Sequence, residues 1–155
     1  MPGTQVTSTC FVFLKKMKSL ESINLQVTNV SNEGLDQLAG LPNLNTLLLG
    51  STRIDDDGLL VLGKLPGLKS LLLDANKITD TGVQHLKSLT NLERLVLNNT
   101  QISDAGIEHL KGLKRLNVLY LGGTQVTAEG VAALQKELPN CKITWDITEL
   151  EGGKK

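Results

Sequence analysis

The chain has 155 residues, with basic and acidic side chains balanced at 16 each and a formal net charge of zero. Apolar residues make up 40% and aromatics only 3%, so any core must be built from Leu, Ile and Val in many similar layers. The short basic runs, Lys15-Lys16 with Lys18 and the terminal Lys154-Lys155, fall short of the clustered cations that neutralise nucleic-acid phosphates. No apolar run approaches the ~18 residues of a membrane-crossing helix. Neither a nucleic acid nor a membrane is therefore the expected partner. Met1-Pro2-Gly3-Thr4 lacks the basic start and apolar stretch of a secretory signal, which favours the cytoplasm.

Three columns recur every 24 residues: Leu20, Leu44, Leu68, Leu92, Leu116; Leu25, Leu49, Leu73, Leu97, Leu121; and Gly34, Gly58, Gly82, Gly106, Gly130. The chain opens in mid-repeat with a half unit at 3–17, since Gly3-Thr4-Gln5-Val6-Thr7 reproduces Gly123-Thr124-Gln125-Val126-Thr127. Its continuation admits two readings. The frame asks for a helix over Phe11–Met17, whereas Cys10 in the Gly column and the run Thr9–Phe13 favour a strand, which would cover the open edge near Ser22–Gln26.

Full repeats then start near 18, 42, 66, 90 and 114. Each begins with a strand in which alternate Leu residues, such as Leu47 and Leu49, face one side. A turn follows, carrying one member of the column Thr28, Thr52, Asn76, Thr100, Thr124, whose side chains are placed to satisfy buried backbone groups. Ser, Thr or Asp then caps a short helix, as at Thr79-Asp80 and Ser103-Asp104, with Leu59, Leu62 and Leu65 at helical spacing. Pro42 and Pro66 end two helices. In the last repeat Glu137 takes a Leu column and the frame recovers at Ile143 and Trp145. A capping strand is expected over 141–147, closed by the Trp145 indole, followed by a flexible tail at 148–155. The unit over 1–147 reads as a single domain.

The segment LERLVLNNTQISDAGIEHLKGL, Leu92 to Leu113, resembles the leucine-rich-repeat family. It is most similar to a bacterial 24-residue subclass with Thr where many relatives carry Asn or Cys. The resemblance implies an α/β, right-handed solenoid arc, with a parallel β-sheet on the concave face and short helices on the convex face. It further implies binding of a partner, usually a protein, along the concave face. The half unit at the start suggests either part of a longer arc or a half repeat that serves as the N-terminal cap.

No pattern points to catalysis, a cofactor or a metal. His85 and His109 share a helix column but lack a completing Cys or carboxylate column. Asp55-Asp56-Asp57 lacks the ligand spacing of a calcium loop and reads as helix capping. Cys10 and Cys141 fall at opposite ends of the stack, about 25 Å apart by the strand spacing, too far for a disulfide.

Strand residues that alternate with the buried Leu point outward. The middle outward column is Asn24, Leu48, Leu72, Val96, Tyr120 and Thr144, so Leu48, Leu72, Val96 and Tyr120 make an apolar stripe. Ser22, Thr46, Ser70, Arg94, Val118 and Lys142 flank it on one side. Gln26, Gly50, Asp74, Asn98, Gly122 and Asp146 flank it on the other, with Gly50 and Gly122 leaving room for a partner. The expected function is non-catalytic protein binding through Leu48, Leu72, Val96 and Tyr120, rimmed by Asp74, Arg94 and Asn98. Two alternatives stand beside it. One is a scaffold that self-associates through the stripe or the open N-terminal edge; the other is a recognition region of a larger multidomain enzyme.

Overall fold

The computed structural model describes residues 7–145. Gly3–Val6 of the half unit, the end of the expected capping strand and the expected tail lie outside the described residues. Six strands, β1 (Ser22–Asn24), β2 (Thr46–Leu48), β3 (Ser70–Leu72), β4 (Arg94–Val96), β5 (Val118–Tyr120) and β6 (Lys142–Thr144), form one parallel sheet in chain order. Each strand pairs with the next at a register of one repeat, so Leu47 faces Leu71, Leu71 faces Leu95 and Leu95 faces Leu119. Those leucines are fully buried, as are Leu49, Leu73, Leu97 and Leu121.

Behind the sheet lie α1 (Phe11–Leu14), a 3-10 turn (Leu35–Gly40), α2 (Asp56–Leu62), α3 (Asp80–Val83) continued by a 3-10 turn (Gln84–Ser88), α4 (Asp104–Glu108) and α5 (Ala128–Glu137). Most of these helices are shorter than an isolated helix needs to be stable in water, so their stability comes from packing. Leu35, Leu59, Val83 and Ile107 supply one buried row, and Leu38, Leu62, Leu86, Leu110 and Leu134 another.

The first turn resolves the choice between helix and strand in favour of helix. Phe11 is fully buried in the row headed by Leu35, and the Lys15 amide donates to the Phe11 carbonyl at 3.1 Å. Local β preference yields to the need to fill the end of the core. Among the described residues no strand precedes β1, so Thr9–Phe13 does not cover that edge by pairing.

Consecutive repeats are stitched by side chains one position past each helix cap. The caps are Asp55, Thr79, Ser103 and Thr127, each accepting from a backbone N–H in its own first turn. The next residue reaches into the following repeat. Asp56 accepts from the Thr79 amide (2.8 Å) and hydroxyl (2.6 Å), Asp80 from the Ser103 amide (2.7 Å) and hydroxyl (2.6 Å), and Asp104 likewise from Thr127. Ser8 holds the same column and accepts from the Ser31 amide at 3.0 Å. The glycine column exists for these carboxylates: a Cβ on Gly82, Gly106 or Gly130 would collide with Asp56, Asp80 or Asp104. The sequence reading, which gave the Asp pairs to capping alone, missed this second role.

The turn after each strand is fastened as expected. Thr28, Thr52, Thr100 and Thr124 hydroxyls donate to the carbonyls of Leu25, Leu49, Leu97 and Leu121 at 2.6–2.8 Å. Just before them, Val27, Ser51, Ala75, Asn99 and Gly123 are left-handed, with φ between 54° and 72°. That conformation lets the first four amides donate to Gly50, Asp74, Asn98 and Gly122 carbonyls of the next repeat, but it costs a residue with a Cβ about 1–2 kcal/mol. Val27, β-branched, bears it worst.

Two outcomes follow from these ladders. Asp80→Ala is expected to lower stability by about 2–3 kcal/mol through loss of two charge-assisted bonds, while Asp57→Ala, on the exposed neighbour, stays within about 0.5 kcal/mol; urea titration with a shared slope distinguishes them. Val27→Asn and Ala75→Gly should each raise stability by about 0.5–1 kcal/mol, read as a higher urea midpoint at unchanged slope, as left-handed strain is relieved.

Candidate functional site

The solvent-facing side of the sheet collects the expected contact residues. Leu48, Leu72, Val96 and Tyr120 lie on adjacent strands in direct register. At the usual strand spacing the row runs about 14 Å. Leu48, Leu72 and Tyr120 are half-buried, but Val96 is only 6% exposed. Alternation alone places Val96 outward, and it stands in register between the larger Leu72 and Tyr120. The stripe is thus a packed ridge with Leu72 and Tyr120 as its accessible shoulders. Thr144, in the same column, is also buried.

The rim is organised by the same side chains that the sequence singled out. Arg94 is exposed and lays its guanidinium over the Tyr120 ring, 5.3 Å from the centroid, a cation–π contact that restrains the ring before any partner arrives. Asn98 Oδ1 accepts from the Gly122 amide at 2.7 Å. The Asp74 carboxylate lies against Gly50, where a Cβ would collide with it. This corrects one expectation: the small residues Gly50 and Gly122 do not leave open space for a partner, because Asp74 and Asn98 from the neighbouring strand occupy it. Spacing shows which column a Gly belongs to, not which neighbour leans across it. Asp74 and Asn98 therefore present less of themselves than a free rim would.

Elsewhere the chemistry is sparse. Among the described residues no group of three or more His, Cys, Asp or Glu side chains is arranged to hold a metal ion. His85 is half-buried and His109 exposed on the helical side. No helix of the described residues is long and apolar enough to cross a membrane. A shallow groove of about 460 Å³ beside the turns is lined by Thr52, Arg53, Ile54, Asp55, Ala75, Asn76 and Lys77. Asn76, its buried polar residue, already accepts from the Thr52 amide and hydroxyl and donates to the Leu49 and Leu73 carbonyls. Both cysteines are free; Cys10 is half-buried in the first turn, and Cys141 is buried ahead of β6. Burial pushes the Cys141 thiol up to about 11. Ile143 and Trp145 pack half-buried against the end of the core.

One strand, one turn and one short helix per 24 residues, with all strands parallel on one face, define a solenoid repeat protein. The chain is similar to leucine-rich-repeat proteins and has their fold, an α/β solenoid arc with a parallel sheet on one face and short helices on the other. A family model described as leucine rich repeat matches residues 66–126. An internalin from Listeria monocytogenes superposes with a TM-score of 0.70 at 26% identity, over 84% of this chain and 36% of that one. A leucine-rich-repeat protein of Leptospira interrogans does so at 0.65 and 24% identity, over 84% of this chain and 32% of that one. An internalin C2 from Listeria monocytogenes gives 0.58 at 20% identity, over 92% and 77%. The last two likenesses show the fold alone. No curated protein matches the chain. The chain spans about a third of the length of the first two structures. Proteins of this fold commonly mediate protein–protein interaction.

The two thiols give a direct check on the packing of the C-terminal end. At pH 8 an aromatic disulfide reagent should modify Cys10 at least tenfold faster than Cys141, whose raised pKa leaves little thiolate. Comparable rates in the folded protein would show that the turn around Cys141 opens readily.

Proposed function

We propose that the chain is a non-catalytic binding module that engages a protein through the concave face of its sheet. The observation that carries this reading is the ridge Leu48–Leu72–Val96–Tyr120, held in register across four strands, with Arg94 stacked on Tyr120. An apolar centre with a polar margin has the anatomy of an interface, and Tyr and Arg are the residue types that most often dominate binding energy. Tyr120 brings a large surface at low entropic cost because Arg94 already restrains it. A protein supplying an extended segment or loop with apolar side chains and a carboxylate near Arg94 fits these features.

The fold neighbours support a recognition role for this arc, and the whole function of those longer proteins is not carried over with it. Self-association through the same ridge, or through β1, is the second reading; among the described residues no strand pairs with β1 on its outer side.

Selection of binders from a displayed library of genomic protein fragments provides the test. Leu72→Asp and Tyr120→Ala should each weaken the selected complexes at least tenfold without lowering the melting temperature by more than a few degrees. Arg94→Ala should weaken them less, about threefold. Selected fragments that bind both variants as tightly as the wild type would sink the concave-face reading. A concentration-dependent dimer abolished by Leu72→Asp would favour self-association instead.

A further inference from the structure

A second surface stands apart from the sheet, on the convex side at the N-terminal end. Phe13 is 73% exposed, Val12 61% and Met17 50%. The repeat separates the part of this patch that continues a core column from the part that does not. One and more repeats on, the Phe13 column holds Gln37, Val61, His85 and His109, and the Val12 column holds Asp36, Leu60, Gln84 and Glu108. In the Val12 column these positions are exposed or half-buried and mostly polar; in the Phe13 column they are exposed or half-buried, and Val61 packs against the core. Met17 belongs to a core column, that of Leu41, Leu65 and Leu89. Val12 is therefore apolar where most repeats carry a polar group, and Phe13 is larger and more exposed than the half-buried Val61 of its column. Leu60, two repeats along, is 46% exposed on the same side.

Cations surround these residues. Lys15, Lys16 and Lys18 follow Phe13 directly, and Lys64 and Lys87 continue the row at the ends of later helical turns; all five are exposed. Among the described residues, none of the five is in a salt bridge. Lys18 Nζ donates to the Gly40 carbonyl at 2.7 Å. Cations at helix C-termini are favoured by the helix dipole, which accounts for Lys64 and Lys87 but not for an exposed Phe and Val beside three further lysines. Of the nearby carboxylates, Asp36 stands one repeat on from Val12 and accepts from the Gln37 side-chain amide, and Glu33 is exposed earlier in the same turn.

We infer that this convex corner docks peripherally on an anionic lipid surface, with Phe13, Val12 and Met17 entering the headgroup–acyl boundary and Lys15, Lys16, Lys18, Lys64 and Lys87 facing lipid phosphates. Exposed apolar side chains fringed by lysines are the combination that holds proteins at such surfaces. The mixture of groups selects lipid. Even the recess on this side joins the apolar Leu60 to Lys64 and Lys87, and a fluid anionic bilayer meets both kinds of side chain at once, acyl chains for the apolar groups and phosphates for the lysines. This departs from the expectation, drawn from charge balance and the lack of a spanning segment, that no membrane takes part. Balance over the whole chain conceals a local basic corner.

The test is flotation of the full chain with vesicles of phosphatidylcholine alone and with about a third phosphatidylglycerol. Binding is expected at least tenfold tighter to the anionic vesicles at low salt, and largely lost near 0.5 M NaCl. Phe13→Asp, at an exposed position, and the double variant Lys15→Glu with Lys16→Glu should each reduce it at least tenfold with unchanged melting. Leu72→Asp should leave it intact, which separates this surface from the concave ridge. Equal binding to neutral vesicles, no vesicle binding, or full binding by Phe13→Asp would overturn the inference. So would a dimer dissociated by Phe13→Asp, which assigns the patch to a second copy. Phe13-dependent binding of poly-glutamate as tight as that of vesicles would assign it to an acidic protein.

Discussion

Each carboxylate of Asp56, Asp80 and Asp104 accepts both the amide and the hydroxyl of the cap residue one repeat further on. That interaction sets how closely successive turns stack. It requires a glycine in the next repeat (Gly82, Gly106 or Gly130) to leave the oxygen room, a Ser or Thr at that repeat's cap to supply the second donor, and a constant repeat length so that donor and acceptor meet. The strand register follows from the same spacing. Once neighbouring turns are locked at one repeat, Leu47, Leu71, Leu95 and Leu119 must lie side by side, and the outward residues beside them must form a row. The concave ridge is thus a by-product of the stitching on the opposite side of the molecule.

Much of this was legible in the sequence because burial repeats with the chain. A position filled by Leu in five successive copies can face only the core, and alternation then assigns the outward column without further information. The Thr column was legible for a related reason: a small hydroxyl recurring directly after a strand has a free carbonyl within reach, and Leu25, Leu49, Leu97 and Leu121 supply it.

What periodicity could not convey was direction along the stack. Asp55 and Asp56 are equally polar and equally placed before a helix, yet Asp55 caps its own helix and meets Asn32 of the repeat before, whereas Asp56 reaches across to the next. Asp74 and Asn98 look like free rim residues until their lean over Gly50 and Gly122 is seen. Val96 reads as exposed because alternation knows nothing of the size of its neighbours. The first turn was ambiguous because Thr9–Phe13 has strand-forming residues, and only the vacancy at the end of the core, filled by Phe11, decides for a helix.

Asn76 breaks the uniformity of the turn column in an informative way. Thr28, Thr100 and Thr124 each donate to a carbonyl of their own repeat, whereas the Asn76 amide also grips Thr52 and the Leu49 carbonyl of the repeat before it. Contacts in a solenoid run only between neighbours, so a rod of this kind frays like a zipper from its ends. A rod pulled lengthwise would shed its outer turns first. The two turns clasped by Asn76 are where such peeling stalls, leaving a resistant segment beneath Leu48 and Leu72 while the ends breathe.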